Sequence, residues 1–145
     1  MKVGITTSSF AEFDNKPLQI LKDSEFECVL NPYGRKLSSE ELIKLICDCC
    51  GVVAGTELLN KEVLTKLPLL KVISRCGVGM DNVDLKAAEE FGIKVYNTPY
   101  GPTLAVAELT VSMILNLLRK TSFMDSQMRK GIWKKEWVIF LQVKK

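Results

Sequence analysis

The sequence predicts an α/β fold: a parallel five-stranded sheet with helices on both faces, followed by a long apolar helix toward the C-terminus. Three observations predict it. Short apolar, strand-like runs alternate with helical patterns from Lys2 to Tyr96. The connections between them are brief and marked by glycine, proline, asparagine and serine, which suits strand–helix–strand crossovers. From Thr103 to Lys120 the periodicity changes to a helix with almost no polar face.

Each element has its own signal. Lys2 to Thr7 is a first strand, and Pro17 to Ser24 a short helix with proline near its start. Phe26 to Leu30 is a second strand, ended by the turn sequence Asn31-Pro32-Tyr33-Gly34. Ser38 and Glu41 form a capping box for a helix whose apolar stripe is Leu42, Ile43, Leu45 and Ile46. Gly51 to Thr56 is a third strand, Asn60 to Leu67 a helix stopped by Pro68, and Leu70 to Arg75 a fourth strand. Asp84 to Phe91 is a helix with Asp81, Asn82 and Asp84 as candidate caps and Gly92 as its stop. Ile93 to Tyr96 is the fifth strand, and Phe123 to Lys130 a last helix. The helix over 103–120, apolar all round, reads as a buried helix.

At 145 residues and 47% hydrophobic, the chain is large enough for one core with an appendage. A net charge of +3 is too mild to argue for nucleic acid. The basic residues Arg129, Lys130, Lys134, Lys135, Lys144 and Lys145 read as a solvated tail. No apolar run reaches the roughly 20 residues of a membrane span, and Val3 to Phe10 lacks the apolar core of a secretory signal. Five cysteines without such a signal suggest a reducing, cytoplasmic setting. Cys47 and Cys50 are formally a C-x-x-C, but no histidine and no second cysteine pair completes a metal site. The absence of histidine also removes the commonest general acid–base side chain.

The most informative stretch is 71–84, Lys-Val-Ile-Ser-Arg-Cys-Gly-Val-Gly-Met-Asp-Asn-Val-Asp. A strand runs into a glycine turn and then a capped helix, which presents backbone N–H groups to an anion. Gly77-Val78-Gly79 approaches the dinucleotide fingerprint, yet Asn82 replaces its third glycine and Asn97 stands where an acidic residue belongs. A carboxylate cradle fits better than a phosphate site: Gly77, Val78 and Gly79 could each donate an N–H group and Arg75 add a charge-assisted contact, while spacing alone equally allows a tight strand-to-helix turn with Arg75 on the surface. The loops at 54–57 and 97–103 follow neighbouring strands and share the edge where parallel sheets bind ligands.

The segments Ser-Arg-Cys-Gly-Val-Gly-Met-Asp-Asn-Val-Asp (74–84), Ile-Lys-Val-Tyr-Asn-Thr-Pro (93–99) and Ala-Val-Ala-Glu-Leu-Thr (105–110) together resemble the NAD-dependent D-2-hydroxyacid dehydrogenases, most of all their phosphoglycerate dehydrogenase-like branch. The resemblance runs from about Val52 to Trp133, and more weakly from Lys2. It implies a flavodoxin-like substrate-binding domain over 1–102, with an interdomain helix and truncated tail over 103–145. It also implies substrate binding by Arg75, Cys76, Gly77, Val78, Gly79 and Tyr100, with Val106 near the nicotinamide of NAD.

The family's cofactor domain, with its catalytic arginine, glutamate and histidine, is expected to follow Lys145. No residue here is therefore assigned a catalytic or metal role. The chain alone is expected to be inactive and to bind NAD weakly at best. Its expected partners are a small 2-hydroxy or 2-keto acid, and either the missing cofactor domain or a second copy through the 103–120 helix. Neither nucleic acid nor membrane is expected. Leu109 replaces the usual histidine of Ala-Glu-His-Thr, and a second substrate arginine found near Gly55 in many phosphoglycerate dehydrogenases is missing. The apolar Trp137-Val138-Ile139-Phe140 replaces the usual glycine-containing segment, which suggests a frameshifted or split product.

Overall fold

A computed structural model describes residues 1–141. The chain divides into two compact units, Met1–Gly101 and Pro102–Lys145. The first unit contains β1 (Lys2–Ile5), α1 (Lys16–Lys22), β2 (Glu27–Leu30), α2 (Ser39–Ile46), β3 (Gly51–Ala54), α3 (Lys61–Thr65), β4 (Val72–Arg75), α4 (Leu85–Glu90) and β5 (Lys94–Tyr96). Every strand pairing is parallel, and the strand order is β2-β1-β3-β4-β5, the flavodoxin-like order.

The chain reverses direction across the sheet between β2 and β3. Right-handed crossovers then put α1 on one face and α2, α3 and α4 on the other. The second face holds the main core. Ile46, Leu59 and Ile73 are fully buried there, with Leu42, Val63, Leu64, Leu67, Ala87 and Ala88 around them. Burying each large aliphatic side chain contributes roughly 1.5–3 kcal/mol. α2 sits so close to β1 that a Cβ on Gly4 would collide with Ile46, so this contact needs glycine. α1 has no buried residue. On its face Met1, Val3, Phe26, Val53 and Val72 line an open groove of about 320 Å³.

The helix starts follow the sequence closely. Ser38 accepts from the Glu41 N–H, and the Glu41 carboxylate accepts from the Ser38 N–H. Arg35 holds that carboxylate from outside at 2.7 and 2.9 Å, which drives its pKa down to about 2. Asn60 caps α3 and Asp84 caps α4.

The second unit contains α5 (Thr103–Arg119) and α6 (Thr121–Arg129). Lys120, in the left-handed region at φ 52°, turns the chain between them. Asn116 fixes that turn by accepting the Ser122 N–H at 2.9 Å. The expectation of a buried apolar helix is corrected here: α5 has no buried residue, and Leu104, Leu109, Met113 and Leu117 are all exposed. Apolar composition alone does not bury a helix, because burial requires a covering surface. No helix among the described residues is long and apolar enough to cross a membrane.

Candidate functional site

β3, β4 and β5 lie side by side and run in one direction, so the loops that follow them meet at one edge. Cys76 N–H donates to Ala54 O at 2.8 Å, tying the β4 loop to the end of β3. Thr98 N–H donates to Gly77 O at 3.0 Å, tying the β5 loop to the glycine loop. The convergence expected from strand order is therefore present in the first unit.

Within the glycine loop the backbone is turned by defined bonds. Gly77 has φ 145°, in the region that favours glycine, and its N–H donates to Arg75 O at 3.0 Å. The Gly77 N–H is thus engaged within the loop. The carbonyls of Gly77 and Val78 are both taken from the β5 side, by Thr98 N–H at 3.0 Å and by Asn97 Nδ2 at 2.8 Å. The Asn97 orientation follows from chemistry, because a carbonyl can only accept. In a trans peptide the C=O of one residue and the N–H of the next point in opposite directions, and there is no cis bond in this chain. The Val78 and Gly79 N–H groups must therefore point away from the β5 loop. Neither donates to another group among the described residues. Two adjacent unpaired N–H dipoles attract an anion, although the Asp81 carboxylate also lies beside Gly79.

Arg75 supplies the charge. Its side chain is half-buried, with Nη1 donating to Cys76 O at 2.7 Å. Its Nε is buried with no hydrogen-bond partner. The guanidinium lies so close over Gly77 that any Cβ there would collide with it. Sequence position alone left Arg75 free to face solvent; the structure folds it over the loop. Cys76 and Val78 are exposed. Tyr100 is 85% exposed and makes no side-chain hydrogen bond among the described residues. Val106 lies on α5 in the second unit and is exposed.

A second layer was not visible in the sequence. Glu57, only 2% exposed, accepts the Thr6 hydroxyl at 3.0 Å and the Gly55 N–H at 2.8 Å, joining the ends of β1 and β3. Asn82 donates to Gly55 O at 3.2 Å and to Glu57 O at 2.7 Å, while Asn82 O accepts from Leu59 N–H at 2.8 Å. The sole sequence signal was an acidic residue inside a short Gly-Thr-Glu loop flanked by apolar residues.

The same contacts test the loop as a dinucleotide site, and the residues do not fit. Asn82, in place of the third glycine, uses its side chain to brace the β3 loop. α4 starts only at Leu85, and its first turn is closed by the Asp84 carboxylate, which donates nothing to a phosphate and repels it. In the cysteine group 47–50, Cys49 is buried and its thiol is pushed up to about 11, first by burial and then by Asp48.

The family model described as D-isomer specific 2-hydroxyacid dehydrogenase, catalytic domain, matches residues 7–137. A D-3-phosphoglycerate dehydrogenase of Sus scrofa is 40% identical over 119 residues, covering 81% of this chain and 22% of that protein. A crystal structure of a Thermus thermophilus protein superposes with a TM-score of 0.84 at 32% identity, over 94% of this chain and 43% of that one. The NAD+-bound 3-phosphoglycerate dehydrogenase of Entamoeba histolytica superposes at 0.73 with 31% identity, over 83% and 40%. The chain thus spans about a fifth of the curated relative and less than half of either structure.

Proposed function

The chain belongs to the D-isomer-specific 2-hydroxyacid dehydrogenase family, and we propose that it is the substrate-binding half of such an enzyme, with a phosphoglycerate dehydrogenase-like ancestry. Residues 1–102 form the substrate-binding domain and 103–145 the start of the crossing to a cofactor domain. The observation that carries this reading is the pair of free N–H groups on Val78 and Gly79, next in the chain to Gly77, over which Arg75 folds its guanidinium. They hold the carboxylate of a small 2-hydroxy or 2-keto acid.

Arg75 adds long-range attraction and orients the acid, and Tyr100 and Cys76 line the approach. NAD, held by a cofactor domain, supplies the hydride acceptor or donor. The proton transfer that accompanies it is assigned to the family's histidine in that cofactor domain, since these 145 residues include no histidine. With one domain open to water, affinity for the acid is expected to be millimolar at best, about −4 kcal/mol.

The reading is tested by complementation. The pure chain is expected to show no NAD-linked oxidation of 2-hydroxy acids, and a cofactor domain of a relative, added as a second polypeptide, is expected to restore it. Clear turnover by the chain alone contradicts this.

A second reading, an interaction module, is favoured by the exposed apolar residues of α5. Self-association that rises with concentration in sedimentation would support it, and a monomer at high concentration would count against it.

A further inference from the structure

We propose that Asn97 is the positioning residue of the anion cradle: by holding the Val78 carbonyl it aims the Gly79 N–H at the ligand. This rests on the carboxylate reading above and adds the residue that makes the cradle work.

The reason is geometric. The peptide between Val78 and Gly79 is one rigid plane, so whatever fixes its carbonyl also fixes its N–H. Asn97 Nδ2 fixes that carbonyl at 2.8 Å across 19 residues of chain. The preceding peptide is fixed in the same sense by the Thr98 backbone, whose N–H takes the Gly77 carbonyl at 3.0 Å. That bond survives any side-chain change, but the bond from Asn97 does not. A glycine at 79 leaves the peptide rotationally loose, since nothing in its side chain resists a flip. Without Asn97 the Val78–Gly79 peptide is free to turn its carbonyl toward the ligand, presenting a partial negative charge where a carboxylate must sit.

Asn97 is well suited to this task. It is half-buried, it lies just beyond β5 next to β4, and its amide is neutral. A lysine or arginine would hold the carbonyl but would also draw the acid off the cradle. An aspartate, acceptor-only when ionised, would repel both the carbonyl and the acid.

The test is an amide-shift titration of the full 15N-labelled chain with pyruvate, comparing wild type, Asn97→Ala and Asn97→Asp. Dispersed core resonances from α2 and β3 show that each variant is folded. At neutral pH the wild type is expected to move its Val78 and Gly79 amides, and each variant to bind about five- to tenfold more weakly, the scale of one lost hydrogen bond. As pH falls toward about 4, the carboxyl introduced by Asn97→Asp protonates and regains a donor. Asn97→Asp should then recover affinity relative to both wild type and Asn97→Ala, which share the Asp81 carboxylate beside Gly79. A merely structural role would not produce that recovery. Wild-type affinity in both variants, or no recovery in Asn97→Asp, overturns the role of Asn97 and leaves the carboxylate reading standing. A wild type whose Val78 and Gly79 amides ignore pyruvate overturns that reading, and the role of Asn97 falls with it.

Discussion

The Glu57 carboxyl and the Thr6 hydroxyl meet at 3.0 Å although 51 residues separate them in the chain. This contact closes the carboxyl edge of the sheet, because the same Glu57 oxygen also accepts the Gly55 N–H at 2.8 Å. A polar side chain only 2% exposed is retained because its partners are equally buried and need it.

Glu57→Ala is therefore expected to cost about 2–3 kcal/mol, mainly from the orphaned Gly55 N–H. Thr6 has a fallback acceptor in Val53 O at 3.3 Å, which limits the loss. Glu57→Gln keeps an acceptor for both donors and should cost about 1 kcal/mol or less. Urea midpoints at constant slope check both values; equal losses in the two variants would contradict the assignment.

Gly77→Ala is expected to cost about 1–3 kcal/mol, because φ 145° is strained for any side chain. The new methyl also collides with the Arg75 guanidinium and must displace it from the loop. Acid binding should fall more than stability does. An Ala variant that binds pyruvate like wild type would show that Arg75 over the loop is irrelevant.

Arg75→Met separates charge from packing. The buried, unpartnered Nε is a cost that methionine removes, so stability should hold or rise slightly. Affinity for a small acid should fall by about tenfold, the scale of one charge-assisted contact. Calorimetry and a thermal melt on the same sample report both.

Glu41 sets an acid-sensitive step. Its pKa is lowered from 4.5 to about 2, first by the hydrogen bond from Arg35 and then by the Ser38 N–H. A lowered folded-state pKa adds stability that is present above about pH 4.5 and lost as pH falls toward about 2. Glu41→Gln should flatten the stability curve across that window and leave its shape above it unchanged. An unchanged slope between those values would contradict the assignment.

Local features were legible in the sequence. The Ser38–Glu41 capping box, the Asp84 cap and the five strands all follow from residue type and spacing, and parallel order follows from short crossovers. Element ends shifted by a residue or two: the last helix runs Thr121–Arg129 where the pattern suggested Phe123 to Lys130. What the sequence could not show depends on long-range juxtaposition. Asn97 read as a missing acid, yet its donor serves Val78, and Asn82 read as a missing glycine, yet it braces the β3 loop. Gly77 read as an N–H donor to ligand, and its N–H is held by Arg75 O only two residues away. α5 read as buried from its composition, and burial depends on a covering surface that composition does not encode.

Two backbone N–H groups carry the carboxylate reading, and an amide-resolved titration of the 15N-labelled wild-type chain with a small 2-keto acid tests them most directly. Saturable shifts centred on Val78 and Gly79, with the internally bonded Gly77 amide moving least, are the predicted result. Shifts that are absent at high millimolar acid, or centred on Gly77 or on the second unit, would contradict it.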